Sequence, residues 1–551
     1  MKPTKIVIDP ITRIEGHLRV EIEIDHSNTI TQAWVSGQLF RGIETILQNR
    51  DPRDAGLLAG RICGVCTNSH FKGAISCVEN AYGIKIPSSA SILRDLVALS
   101  LFVQDHVVHF YHLHLLDYVD VAKALDADPS TTSTEALKYH QKPFRNSPSH
   151  YESILQKIKK LVSAGRLGPF NNSYSNHPKY LLNPEQNLIL LSHYLEALKF
   201  QTNISKAIAI FAGKTPHPQS YVVGGITSVA DMLNPQRIND FIFIIKEAKE
   251  FVNRAYIPDM KLLCEVYKEE ITNRSGQSNG NFLCSGGFET HSIKLFEEGV
   301  IWNHNFQNID QFDPSKITEH VDRAWYNEDD TINYTDFNTD GTLKTKNSDD
   351  KYSWIKAPRY NDMPMETGPL ARILITYLQG NKLIKPFVDQ FLYDAKLTLN
   401  DLSSSIGRNA ARAIETEYIL EYIFILINDL LQNISYYDTK TFSSYDFEDL
   451  QHLTNGQTFF EVPRGMLSHL VKIENQKIKN YSVIAPTTWN ATPKNIDGKL
   501  GAYEHALIGL TLVDPSKPLE VLRVLHSFDP CIACAVHIID TKGKNLSSYK
   551  I

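Results

Sequence analysis

The sequence predicts a mainly α-helical protein with small β-sheets formed by its N- and C-terminal segments. Three observations lead there. Leu18, Val20, Ile22 and Ile24 alternate with polar residues, the period of a half-buried strand. Ile92, Leu93, Leu96, Val97, Leu101, Val107, Leu113 and Leu116 make a stretch apolar on most sides, the pattern of a helix inside a large core. Near the far end, MLSHLVKI and KIKNYSVIA flank Glu474-Asn475-Gln476 and read as a hairpin.

In chain order, residues 5–40 read as strands and 53–83 as a helix-like stretch carrying a cysteine pair. Residues 91–125 read as one long helix. Further helical patterns cover 150–165, 185–212, 235–270, 368–395 and 405–435. The polar run Tyr326 to Asp350, rich in Asn, Asp and Thr, reads as a surface loop. A length of 551 residues suggests three or four domains at about 150 residues each. Strands at both ends with helices between argue instead for one large body whose ends come back together.

Composition narrows the function classes. With 42% apolar and 21% charged residues, the chain is neither disordered nor collagen-like. A net charge of −6 disfavours nucleic-acid binding, which needs a basic face. Asp105 and Glu421 interrupt the best apolar runs, so no transmembrane helix is expected. The first residues, MKPTKIVIDPITRIEGH, carry no apolar core of a signal peptide.

The seven cysteines are too few for a disulfide scaffold. Their placement is informative. Cys63 and Cys66 form one C-x-x-C, and Cys531 and Cys534 form another at the opposite end. This spacing lets two thiolates reach one metal. Four thiolates suit zinc, an iron–sulfur cluster, or nickel with iron. A zinc ribbon sets its pairs about 15–20 residues apart, which this layout does not. Arg61 and Asp529 flank the thiolates; a guanidinium over a metal can act as a base, and a carboxylate can hold it there. Taken singly, each also reads as an ordinary surface ion pair.

These motifs resemble the large, catalytic subunit of nickel–iron hydrogenases over essentially the whole chain. The resemblance rests on IDPITRIEGH (Ile8 to His17), FRGIE (Phe40 to Glu44), RDPRDA (Arg50 to Ala55) and RICGVCTNSH (Arg61 to His70). It continues through QDHVVHFYHL (Gln104 to Leu113), KTPHP (Lys214 to Pro218) and YSWIKAPRY (Tyr352 to Tyr360). VPRGMLSH (Val462 to His469), APTTWNA (Ala485 to Ala491) and HSFDPCIACAVH (His526 to His537) complete it.

The resemblance implies the corresponding fold and a nickel held by Cys63, Cys66, Cys531 and Cys534. Cys66 and Cys534 would bridge to an iron carrying carbon monoxide and two cyanides. Pro463, Arg464, Pro486 and Thr487 would face those ligands. The reaction implied is H2 ⇌ 2H⁺ + 2e⁻, with a cysteine thiolate such as Cys531, or the Arg464 guanidine, as proton acceptor. Asp105 and Asp529 would orient Arg464. Glu15, expected near Cys534, would carry protons outward. Glu44, a backbone carbonyl near Val483 and His537 would hold magnesium.

An endopeptidase would cut between His537 and Ile538, leaving residues 1–537 as the catalytic body and 538–551 as a propeptide. An uncut tail would keep the second cysteine pair from its place. Further implied partners are an iron–sulfur small subunit carrying the relay clusters, nickel-insertion factors and a membrane cytochrome b. The motifs are most similar to the respiratory H2-uptake branch. That implies a cytoplasmic precursor, then a membrane-associated complex facing the periplasm after export with the small subunit, or else a cytoplasmic enzyme. An H2-sensing regulatory subunit is the alternative, although sensors generally lack the cleavable tail. Outside these roles, His106, His109, His112 and His114 make no clean metal face and read as buried, hydrogen-bonded residues. His70 and His217 read as structural or as partner contacts. Cys77, Cys264 and Cys284 read as plain thiols, and Val65 as a residue narrowing gas access.

Overall fold

The computed structural model describes residues 4–139, 145–166, 168–170, 174–290, 293–326, 332–333, 350–447, 450 and 452–535. Helices dominate, and the strands form small antiparallel sheets. Leu18–Ile24 is the middle strand of the first sheet, between Thr4–Ile8 and Ile30–Gly37. Its residues alternate buried and half-buried, as the sequence pattern requires. The last sheet places Gly465–Glu474 between Leu453–Val462 and Lys477–Ile484. Its second hairpin turns at Asn475 and Gln476, with φ of 50° and 59°, the left-handed pair of a tight two-residue connection. Further small pairings, Phe282–Glu289 with Lys294–Ile301 and Ile317–His320 with Ala357–Tyr360, lie mid-chain, where only helices and a loop were expected.

The helical readings hold with instructive breaks. Ser405–Ser435 runs unbroken, opened by the Ser404 hydroxyl accepting from the Gly407 N–H. Pro184–Ala212 starts at a capping box formed by Asn183 and Gln186. The expected 91–125 helix is regular only over Ser88–Val108; it widens into a π-turn at His109–His114 and tightens at Leu115–Asp117. Long-range bonds from the histidines accompany the change, His109 to the His526 carbonyl at 2.6 Å and His114 to Asn409. Residues 235–270 break at a second π-turn, Val252–Tyr256, just before Pro258, whose ring cannot continue the ladder. The 368–395 stretch is two helices, Pro369–Leu378 and Lys385–Ala395, parted at Gly380. Of the 326–350 loop, only Tyr326, Ile332–Asn333 and Asp350 lie within the described residues.

The two ends of the chain meet through packing and bridges rather than in one shared sheet. The buried face of the first sheet packs on Ala502–Leu507 and Leu519–Ser527 in a common apolar cluster. Isolated bridges join Glu15 to Cys531 and Thr29 to Thr511. The His526 ring adds a side-chain tie, bonded to the Thr12 carbonyl at 2.8 Å and to Asp117 at 2.6 Å. All four paired cysteines sit at the edge of the main core cluster, whose helices include Thr67–Tyr82, Ser88–Val108 and Ser405–Ser435.

Candidate metal centre

Both cysteine pairs arrive at one point. The Sγ atoms of Cys63, Cys66, Cys531 and Cys534 lie within 4.8 Å of one another, and all four residues are buried. Cys63 is 3.2 Å from Cys531, Cys66 is 3.1 Å from Cys534, and Cys531 is 2.9 Å from Cys534. These separations exceed a disulfide bond of about 2.05 Å. Four converging thiols that stay unpaired are a soft-metal donor set, and the residues present fit nickel or another thiophilic ion.

Local structure explains each pair. The first precedes the Thr67–Tyr82 helix, whose N-terminal N–H groups favour a thiolate. The N–H groups of Val65 and Cys66 point at the Cys63 sulfur, at 3.2 and 3.3 Å. The second sits at the start of the short Ile532–Ala535 helix, and Thr487 Oγ1 accepts the Cys531 N–H at 3.1 Å. That leaves the Thr487 O–H free to donate elsewhere. Burial opposes a charge on Cys63, yet thiols of Cys531, Cys534 and Cys66 donating to it hold its pKa well below the usual thiol value. Burial, and donation to its neighbours, push Cys531 well above it. A metal takes each cysteine as thiolate, so binding here releases protons.

A small cavity beside the sulfurs is lined by Pro463, Arg464, Pro486 and Thr487, and also by Val462, Leu467, Ser69 and His70. Arg464 is buried between two carboxylates. Its Nη1 donates to Asp105 at 3.0 Å, and its Nε lies 3.1 Å from Asp529. Burial works against the guanidinium, but Asp529 and Asp105 outweigh it and raise the proton affinity of Arg464 further. Burial lifts Asp105 to about 7 despite Arg464. Asp529 adopts a left-handed φ of 58°, an uncommon state for a non-glycine residue that its surroundings must hold.

Glu15 reaches the site from the other end of the chain. Its Oε2 lies 3.3 Å from Cys531 Sγ and accepts the Ala533 N–H at 3.0 Å. The sulfur it bonds is that of Cys531, which lies 2.9 Å from the Cys534 sulfur; the strand-like bridge between residues 15 and 531 sets this contact. Gly16 permits the approach. A Cβ there would lie 2.8 Å from the Ala533 nitrogen, and its φ is 84°. Arg13 fixes the same segment through Asp117 and the Leu113 carbonyl.

Other expectations sort differently. Arg61 and Val65 are exposed, so Arg464 is the guanidinium at the thiolates, and Val65 does not line the cavity. Glu44 accepts the N–H of Val483 at 2.8 Å, and its second oxygen lies 3.5 Å from Lys356, which also faces Glu319. An ammonium thus stands beside Glu44, the side-chain carboxylate expected to take magnesium, and the fit to that ion is incomplete. His537, Ile538 and the segment 538–551 lie outside the described residues. The histidines of residues 106–114 are bonded to Glu415, the His526 carbonyl, the Tyr194 carbonyl and Asn409. His70 is buried against His469, and the His217 N–H donates to Thr67. Cys77, Cys264 and Cys284 are buried, and burial raises all three thiols, Cys264 to about 12.

One group escaped the sequence reading. Arg372 is fully buried, paired with Glu415 at 2.6 Å and Glu461 at 2.9 Å. It also donates to the carbonyls of Val462 and Pro463, at 2.9 and 2.8 Å, and so fixes the corner that presents Arg464. The only signal was an arginine inside the apolar run PLARILITYL.

Comparison with known proteins agrees with this geometry. Residues 41–537 match the nickel-dependent hydrogenase family, and residues 5–36 match one described as HoxL-like. The chain is 44% identical to the quinone-reactive Ni/Fe-hydrogenase large chain of Wolinella succinogenes, covering 99% of this chain and 98% of that one. It is 41% identical to the uptake hydrogenase large subunit of Bradyrhizobium diazoefficiens, over 99% and 97% of the two chains. Among solved structures, it superposes on the Ni-Fe-Se hydrogenase of D. vulgaris Hildenborough in the reduced state with a TM-score of 0.79. The two share 31% identity over 97% of this chain and 100% of that one. The chain therefore belongs to the nickel-dependent hydrogenase large-subunit family.

Proposed function

We propose that the chain is the catalytic subunit of an H2-uptake hydrogenase, splitting H2 into protons and electrons that enter a respiratory chain. The observation that carries this is the meeting of four buried thiols from both ends of the chain with Glu15 and the Arg464–Asp105–Asp529 group. Cys63, Cys66, Cys531 and Cys534 would hold nickel, and Cys66 and Cys534 would also hold iron; bound there, the metals would supply the Lewis acidity that makes H2 acidic.

The chain's own groups then manage the proton. Arg464 is held protonated by two carboxylates, which favours a cysteine sulfur as acceptor. Cys531 is the one within reach of a carboxylate, and Glu15, with its pKa raised by burial, takes the proton on. Thr487, with its free O–H, and the Pro463–Arg464 corner face the cavity proposed for the iron with its carbon monoxide and cyanides.

Glu44, with the Val483 backbone and His537, is proposed to take magnesium once Lys356 swings aside. Cleavage between His537 and Ile538 is supported by the end of the family match at residue 537. An endopeptidase and nickel-insertion factors would serve that step. Exposed Leu57 and Val65 beside the first cysteine pair support docking of an iron–sulfur small subunit. Among the described residues no helix is long and apolar enough to cross a membrane. Membrane attachment facing the periplasm would come through partners such as a cytochrome b, as the quinone-reactive name of one relative suggests.

Metal analysis with infrared spectroscopy tests the reading. About one nickel and one iron per chain, with carbon monoxide and cyanide bands, is the expected result. Zinc alone would refute it.

A further inference from the structure

The turn that carries Asp529 and Cys531 has little local support. Asp529 is left-handed, Pro530 follows, and the next helix has only four residues. Its support comes from the Ser405–Ser435 helix, which buries two arginines one turn apart against the preceding corner, Ser527–Phe528.

Arg408 forms a two-bond ion pair with Glu366, at 2.7 and 2.9 Å, and donates to the Gly276 carbonyl at 2.8 Å. So fixed, its guanidinium lies 3.7 Å over the Phe528 ring. Tyr503 stacks on the same ring at 4.6 Å. Arg412 donates to the Ser527 carbonyl and to Asn409 Oδ1, both at 3.1 Å. The first bond satisfies an orphan carbonyl at the end of the Leu519–Ser527 helix, where a positive charge is also favourable. Arg412 has no carboxylate hydrogen bond among the described residues, and its Nε has no partner there. Burying a guanidinium in that way is costly, and packing alone would be better served by an apolar side chain.

We propose that Arg408 and Arg412 are positioning residues that clasp the Ser527–Phe528 corner and thereby aim Asp529 and Cys531 into the metal centre. The assignment rests on the hydrogenase reading of that centre. It adds that the second cysteine pair is placed by the protein itself, before any metal arrives.

Backbone hydrogen exchange read by mass spectrometry tests this on the full chain, produced without nickel and with it. In R408Q and R412Q, peptides within 519–535 are expected to exchange at least ~10-fold faster, while 184–212 and 453–484 keep their protection. In the nickel-loaded variants the carbon monoxide and cyanide bands are expected to shift at unchanged metal content. Wild-type protection of 519–535 in both variants would overturn the proposal. If R412Q loses protection throughout, R412K decides. It keeps the charge but cannot bridge Asn409 and Ser527 together. A rise confined to 519–535 supports the clasp, and wild-type protection there overturns it. Loss of protection throughout in all three variants would make these general stability residues and also overturn it. The nickel-free measurement needs neither metal nor activity. A wild-type chain lacking nickel or H2 oxidation would therefore defeat the functional reading while leaving the clasp to be judged.

Discussion

Replacing Glu15 by glutamine isolates the proton route from the fold. The two side chains are nearly isosteric, and the glutamine oxygen can still accept the Ala533 N–H now held at 3.0 Å. The ties of this segment to the second cysteine pair, Glu15 N–H to the Pro530 carbonyl and Ile532 N–H to the Glu15 carbonyl, are main-chain bonds and survive. Stability should change by no more than about 1 kcal/mol. What disappears is a carboxyl 3.3 Å from Cys531 Sγ that can take and release a proton. Positioned acid–base groups contribute about 10²–10⁴ in rate, or roughly 3–5 kcal/mol at about 1.4 kcal/mol per decade. Glu15→Asp withdraws the carboxyl by about 1.5 Å, one bond length, and should fall between the two. The assay is H2 oxidation with a soluble acceptor, alongside nickel content and the infrared bands. The expected result is a loss of at least ~10² in turnover with the metal signatures intact. Turnover of Glu15→Gln within about threefold of wild type would refute this route, because that leaves less than 1 kcal/mol for the proton transfer.

Three further outcomes follow from the same coordinates. Glu504 is buried, accepts from Tyr352 and Val35, and is pushed up to about 7 by burial. Its folded pKa exceeds the unfolded one, so its contribution is fully present below the unfolded pKa and lost as pH rises to about 7. E504Q should flatten the fall in denaturant stability between pH 5 and 7 by roughly 3 kcal/mol, and an unchanged slope would contradict it. Arg372→Met leaves Glu461 buried without its cation and Glu415 with only His106, at a cost of about 3–5 kcal/mol. A variant melting at the wild-type temperature would count against that network. A chain whose cleavage after His537 is blocked should show no H2 oxidation once mass spectrometry confirms it is uncut; full activity would dismiss the propeptide.

How much of this was legible in the sequence follows from where each determinant lies. The strand at 18–24 and the helices at 184–212 and 405–435 are written locally, in alternation, apolar runs and caps. The 91–125 helix read too regularly because its π-turn accompanies bonds to His526 and Asn409, hundreds of residues away. The four metal-centre cysteines were legible as spaced pairs. The sulfur that Glu15 bonds was not, since it depends on a long-range bridge between residues 15 and 531. Arg372, Arg408 and Arg412 carry no readable role in the sequence. Their meaning resides in Glu415, Glu461, Glu366 and Ser527, which only the tertiary structure brings to them.

The two cysteine pairs therefore enter the centre on different terms. The first stands on a 16-residue helix, Thr67–Tyr82, with backbone N–H groups already aimed at the Cys63 sulfur. That platform is also backed by the last sheet, through Cys77 to the Gly456 and His469 carbonyls. The second stands on a four-residue helix, too short to hold itself in water. Every tie that places it is long-range: Glu15 and Gly16 from the first motif, Thr487 from the segment after the last sheet, Arg408 and Arg412 from the central helix. Loosening these ties is expected to move Cys531 and Cys534 more than Cys63 and Cys66. The second pair is thus the side on which the centre can open, and changes in the surroundings of the bound metal should map to its supports rather than to the platform.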